Sequence, residues 1–180
     1  MKNRSSIGWI IRITVLSIVI SVVFTLVSTE ALSGTGYFAA FAILLLFILI
    51  GILFDIVGVA VTVAPEAPFH SMASHRENGA SEAIKLIKNS EKVSSICNDV
   101  VGDIAGIVSG TTSTIIVTML VRDFSANNVL LQLAMSGVVS GLTIGGKAIG
   151  KIFAINKSVK VVYSVGKSIH FLTKFKKGKK

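Results

Sequence analysis

The chain has 180 residues, 52% of them hydrophobic and 15% charged, with a mean hydropathy of +0.78. A soluble domain carries nearer a quarter charged residues, so a disordered segment is excluded and a soluble enzyme is not expected. The charges present are lopsided, 18 Lys and Arg against 9 Asp and Glu for a net +9, and the single cysteine, Cys97, excludes an internal disulfide and a multi-cysteine metal site.

Taken in chain order, the first apolar run is Ile13 to Thr29, 17 uncharged residues between Arg12 and Glu30, with Trp9 just ahead as an interfacial anchor. Lys2 and Arg4 before an apolar stretch also suit a cleaved signal peptide. Arg12 interrupts that stretch and no convincing Ala-x-Ala site precedes Gly34, so residues 1–33 read as an uncleaved signal-anchor helix. A second run covers Ala31 to Phe54 and resumes after Asp55 as Ile56 to Ala64; a third covers Ile104 to Val121 and a fourth Asn127 to Gly146. Each reaches roughly the 17–25 residues a helix needs to cross about 30 Å of hydrocarbon.

The basic residues orient these spans. Lys2, Arg4 and Arg12 precede the first, whereas the loop after it holds only Glu30. Arg76, Lys85, Lys88 and Lys92 fall between the second and third, and Arg122 beside Asp123 between the third and fourth. Lys147, Lys151, Lys157, Lys160, Lys167, Lys174 and a lysine-rich tail follow. Positive segments stay inside, so both termini are expected in the cytoplasm of a multi-pass plasma-membrane protein. No base-stacking aromatics interleave with the lysines, and nucleic acid is not an expected partner.

The loop after span two reads as a helical hairpin. Pro65 and Pro68 mark the turn out of the membrane, and two short helices flank Asn78-Gly79 between His70 and Asn89. Ala83, Ile84, Leu86 and Ile87 form an apolar face on the second of them. His70 and His75, five apart, do not share a helical face and read as interfacial residues. Past span four, Lys160, Lys167 and Lys174 recur every seven residues around Val161, Val162, Val165, Ile169, Phe171 and Leu172. That is a basic amphipathic helix suited to an anionic cytoplasmic leaflet, with Lys176, Lys177, Lys179 and Lys180 adding to it. The fold class is therefore an all-α integral membrane protein: four transmembrane helices, a cytoplasmic hairpin between the second and third, and an amphipathic C-terminal helix.

Two features inside the spans stand out. Gly102, Gly106 and Gly110 in span three, and Gly137, Gly141 and Gly145 in span four, recur every four residues. Such ladders let helix backbones approach closely in lipid, so spans three and four are expected to touch, and a homodimer can use the same faces. The second feature is charge at one depth. At about 1.5 Å per residue, Asp55 lies about 27 Å from Tyr37, Asp103 about 27 Å from Val121, and Lys147 about 30 Å from Asn127. Asp99 falls one turn below Asp103, next to Asn98. Intramembrane acids usually face a partner or a water-filled path, and oxygen clusters suit hard cations such as Mg2+. The bland reading is that Asp103 and Lys147 merely end helices at the boundary. Asp55 is different, because nine uncharged residues follow it: span two either continues past an embedded acid or breaks near Gly58. An Asp55–Lys147 ion pair that pins two helices is a third reading.

In this order the features resemble the membrane domain of the CorB/CorC and cyclin M magnesium-transport family, over about Phe47 to Ser168. Leu53-Phe54-Asp55 to Val61 resembles its Phe-Ser-x-x-Glu-Thr-Ala-Leu-like segment, and Asn78-Gly79-Ala80 through Lys85 to Val93 resembles its Gly-x-x-Ala and Leu-Leu-x-Asn-Pro-Glu-Arg-Leu run. Asn98-Asp99 is similar to its Asn-Asn pair, offset by about one turn, and Gly146-Lys147-Ala148-Ile149-Gly150-Lys151 to its Gly-Glu-x-x-Pro-Lys. The resemblance implies a three-helix core over 37–155 with a helical insertion at 66–92, then a juxtamembrane helix within 156–180. It also implies a cation site. Here Asp55 stands where the family has serine, Gly58 where it has an acid, and Lys147 where it has glutamate, and there is no room for the usual CBS pair. The expectation is a divergent divalent-cation, magnesium-like transporter using Asp55, Asn98, Asp99 and Asp103, with Lys147 as modulator. The alternative is a non-transporting interaction or stress protein on the same fold with a structural Asp–Lys pair. An intramembrane enzyme has no support: no embedded histidine, protease motif or nucleotide loop occurs.

Overall fold

The computed structural model describes the backbone of residues 2–32, 34–124 and 127–177, and the side chains of residues 7–32, 34–123 and 127–174. The tail lysines Lys179 and Lys180, and the side chains of Lys2, Arg4, Lys176 and Lys177, lie outside the described set. The chain is 91% helical, without a strand among the described residues. Among the described residues eight α-helices follow in order: α1 (Lys2–Leu32), α2 (Tyr37–Val63), α3 (Ala67–Ser74), α4 (Ala80–Lys88), α5 (Ser90–Ser94), α6 (Asp103–Phe124), α7 (Asn128–Asn156) and α8 (Ser158–Lys177). A π-helical segment, Ser95–Gly102, joins α5 to α6.

Among the described residues four stretches are long and apolar enough to cross a membrane: Ile7–Leu32, Tyr37–Val63, Ser90–Asp123 and Asn128–Asn156. Helix is the form that satisfies every backbone N–H and C=O without water. The surface agrees. Ile10, Ile11, Val15, Ile18, Val22 and Leu26 of α1 are all exposed, and Leu130, Leu133, Leu142 and Ile149 of α7 likewise. An apolar surface of this extent is unlike that of a soluble monomer and matches contact with lipid. Four such helices could each cross a membrane, consistent with a multi-pass membrane protein.

Two compact units divide the residues, one comprising 1–52 and 99–146, the other 53–98 and 147–180. In the first, α1 packs along α6. Ile13, Ile20 and Phe24 of α1 lie against Phe47, Val100, Ile104 and Val108, with the Phe24 and Phe47 rings 5.8 Å apart. Deeper polarity is paired: the Ser28 and Thr112 hydroxyls, both buried, are 2.9 Å apart. Gly51 brings α2 close to α6, since a Cβ there would sit 3.2 Å from that of Ala105. Asn127 caps α7, its Oδ1 accepting from the N–H groups of Val129 and Leu130 at 3.1 and 3.3 Å.

The second unit is held by a separate core of Ala60, Val61, Ala64, Phe69, Ala83, Ala154 and Val162. The two short helices expected around Asn78-Gly79 are α3 and α4. Pro68 occupies the first turn of α3, where its missing N–H costs nothing. Gly79, expected as a helix stop, is the N-cap of α4 in a left-handed conformation, φ +93°. It also lies against α8: a Cβ on Gly79 would fall 2.6 Å from Lys167 Cα, and one on Gly166 would fall 2.5 Å from the Gly79 carbonyl oxygen. The amphipathic C-terminal helix therefore buries part of its apolar face on α4 rather than offering all of it to a leaflet. His170 Nδ1 sits 3.0 Å from Glu82 Oε1, and the Tyr163 hydroxyl donates to Glu77 Oε2 at 3.0 Å.

Candidate functional site

Helix α2 runs unbroken to Val63, so of the two courses open to span two it takes the continuous one, past Asp55. Asp55 is 5% exposed, and its Oδ2 has no hydrogen-bond partner in the structure. One helical turn on, at i+3 and so on the same face, Gly58 leaves room for the side chain of Asn98. A Cβ on Gly58 would fall 1.9 Å from Asn98 Oδ1 and 2.6 Å from its Cγ. Asn98 Nδ2 donates to Ser94 Oγ at 3.2 Å, which fixes the carboxamide with its oxygen towards α2. That oxygen, too, is buried and unpartnered. Of the three orphaned oxygen acceptors described in the second unit, Glu66 Oε1 lies beyond the end of α2, whereas the Asp55 carboxylate and the Asn98 carboxamide lie on and against one turn of it.

Such groups are costly. A buried polar atom without a partner costs about 1–3 kcal/mol, more when charged, and most buried polar atoms in folded proteins are satisfied. The backbone around Asn98 is unusual as well. It lies in the middle of the Ser95–Gly102 π-helix, a form that occurs mostly as short bulges and often at functional sites. What the pair can do chemically is offer oxygen lone pairs to a cation, a water or a donor. With one carboxylate it carries at most a single negative charge.

The other expected site residues lie elsewhere. Asp99 and Asp103 are exposed and belong to the first unit. Among the described residues no group of three or more His, Cys, Asp or Glu side chains could hold a metal ion. Lys147, in the second unit, is half-buried. The Asp55–Lys147 ion pair is not formed; ion pairs that are formed include Glu66–His70, Arg122–Asp123 and Glu82–His170. Within the second unit the candidate site comprises Asp55, Gly58, Asn98 and the supporting Ser94.

The glycine ladders also differ from expectation. A Cβ added at Gly106, Gly110, Gly137, Gly141 or Gly145 would meet nothing within 4 Å. These residues leave open faces, and Gly106 and Gly110 line a groove of about 300 Å3. The reason is that α6 turns its buried face, with Ser109, Thr112 and Ile116, to other neighbours, α1 among them. The groove's remaining lining includes Ser113, Thr114, Gln132, Ser136, Ser140 and Thr143. Sequence reasoning passed over these polar residues, although Gln132, Ser136 and Ser140 recur every four residues inside an apolar span. Ser94 was likewise missed, although it stands four residues before Asn98, a spacing that puts the two on one helical face.

Comparison with family models, with curated proteins and with solved structures found no match.

Proposed function

We propose that this chain is a plasma-membrane protein, with both termini in the cytoplasm, that handles a divalent, magnesium-like cation at Asp55 and Asn98. In this reading it is a divergent relative of the CorB/CorC and cyclin M transporters. The observation that carries it is the pair of buried, unpartnered oxygens, Asp55 Oδ2 and Asn98 Oδ1, at one turn of a membrane-spanning helix. Mg2+ keeps several of its waters and is commonly held by one or two carboxylates, so one buried carboxylate with one carboxamide suits it. Lys147, half-buried in the same unit, acts as a modulator whose positive charge weakens the attraction for a divalent ion. Lys160, Lys167 and Lys174, exposed on α8 with Phe171 and Leu172, face the anionic inner leaflet. The open glycine faces of α7 serve a homodimer.

The test is flux. Full-length protein in liposomes containing a Mg2+-sensitive dye should pass the ion faster than empty liposomes do. Asp55→Asn and Asn98→Ala should each reduce that rate at least tenfold, with unchanged helix content by circular dichroism. A wild-type rate equal to that of empty liposomes sinks the transport reading and leaves the protein as a non-transporting interaction protein.

A further inference from the structure

The groove between α6 and α7 lies wholly within the first unit and includes neither Asp55 nor Asn98 in its lining. Its volume, about 300 Å3, is at the lower end of small-molecule sites. From Gln132 to Ile144 it follows α7 over thirteen residues, about 18 Å along the helix. Its lining carries hydroxyl and carboxamide groups but no charged side chain, and only Val139 and Ile144 are large and apolar.

Serine and threonine inside a spanning helix ordinarily satisfy themselves by donating to a carbonyl three or four residues back. Several here do so: Ser113 to Gly110 at 2.9 Å, Thr114 to Gly110 at 3.2 Å, and Thr143 to Val139 at 2.8 Å. Gln132 Nε2 in turn donates to Thr114 Oγ1 at 3.2 Å, bridging the two helices at one end of the groove. Ser136 and Ser140 differ. Neither side chain makes a hydrogen bond, and both are exposed on the groove wall. Around them stand Val138, Leu142 and Ile144, which are 57%, 53% and 67% exposed. Two free hydroxyls one turn apart, set in a surface otherwise suited to lipid, lose hydrogen bonds that no hydrocarbon chain can supply.

We propose that this groove binds an uncharged ligand bearing several hydroxyl groups. Neutrality follows from the lining: a fixed charge would be desolvated there with no counter-charge to meet it. Multiple hydroxyls follow from the array of hydroxyl oxygens and the carboxamide at about one-turn intervals, each able to donate or accept. A soluble polyol and the headgroup of a neutral lipid share this chemistry.

The experiment uses the full chain in phosphatidylcholine nanodiscs with two tritiated probes, myo-inositol and dioleoylglycerol. One of them should be retained saturably above empty nanodiscs, and which one identifies the source. Ser136→Ala with Ser140→Ala should weaken retention about tenfold or more, since each lost hydrogen bond weakens binding several-fold. Gly110→Leu, whose Cβ enters open space and should leave the fold intact, should abolish retention by filling the groove. Thr118→Ala, which removes an exposed hydroxyl bonded to its own helix, should change nothing. Should the double serine variant fold poorly by circular dichroism, Ser140→Ala alone carries the same comparison. Retention of neither probe overturns the proposal. So does retention indifferent to Gly110→Leu, or a Gly110→Leu variant that changes only the oligomeric state, which would make the groove a helix-docking face.

Discussion

The contact between Gly58 and Asn98 can be tested by a cycle of two substitutions. Gly58→Ala places a Cβ 1.9 Å from Asn98 Oδ1 and 2.6 Å from Cγ, with Nδ2 at 3.0 Å. No backbone atom is among these neighbours, so the carboxamide must swing away, losing its bond to Ser94. Overpacking of this kind costs about 1–3 kcal/mol. Against it, alanine is better than glycine inside a helix by about 0.8–1.0 kcal/mol. The net expectation is a loss of about 0–2 kcal/mol in the native background. With Asn98→Ala the obstruction is gone and only the helix gain of about 1 kcal/mol remains. The coupling between the two changes is therefore about 1–3 kcal/mol, well above the few tenths seen for independent sites. Unfolding in mixed detergent–SDS micelles, followed by far-ultraviolet circular dichroism, measures all four corners. If Gly58→Ala has the same effect with and without Asn98, the carboxamide does not occupy the space that glycine leaves, and the site described above is wrong.

Other expectations follow from the second unit and from the buried polar pair in the first. Gly79→Ala combines a left-handed backbone, φ +93°, with a Cβ 2.6 Å from the Lys167 backbone; at about 1–2 kcal/mol for the conformation plus the displacement of α8, amide exchange in α4 and α8 should accelerate at least tenfold, while Gly137→Ala should leave it unchanged. The hydrogen bond from His170 holds the Glu82 carboxyl below its usual range. A carboxyl with a lowered folded-state pKa contributes stability that is fully present above the ordinary carboxylate range and lost as pH falls through the lowered value. The acid limb of thermal stability should therefore flatten in Glu82→Gln, and an unaltered limb would discount the pair. Ser28→Ala should cost about 0.6–1.7 kcal/mol in micelle unfolding by orphaning the Thr112 hydroxyl 2.9 Å away, and adding Thr112→Val should recover part of it.

The spans were legible because hydrophobic length is dictated by the bilayer and needs no tertiary information. The two short helices after Pro65 and the seven-residue lysine spacing of α8 were legible for the same local reason. What escaped was partnership. The spacing of Gly106 and Gly110 says that close approach is possible, not which helix approaches. The structure turns other α6 residues to α1 and leaves the glycines beside a groove. Depth along a helix likewise placed Asp55, Asp103 and Lys147 at one level, with Asp99 one turn below. Burial does not follow depth: Asp55 is buried whereas Asp99 and Asp103 are exposed, and the π-helix at Ser95–Gly102 alters the phase between the two ends of that stretch. No periodicity rule based on 3.6 residues per turn anticipates that change.

Asp55 itself separates a functional site from a structural one. If its carboxylate existed to bind a helix to a lysine, removing it would leave a half-buried Lys147 without its counter-charge, a loss of about 3–5 kcal/mol for a broken buried pair. The structure contains no such pair, and Asp55 Oδ2 is unpartnered. A buried acid kept for chemistry behaves in the opposite way, because its desolvation is a standing cost to the fold. Asp55→Asn, nearly isosteric and uncharged, should then raise the SDS midpoint while reducing Mg2+ flux. Asp55→Leu should raise it further if the pocket accepts the shape. Raised stability with lost transport is the stability–activity trade-off expected of functional groups in unfavourable surroundings. A lowered midpoint in Asp55→Asn, rescued by Lys147→Met, would instead mark the residue as half of a structural pair and remove the cation site from α2.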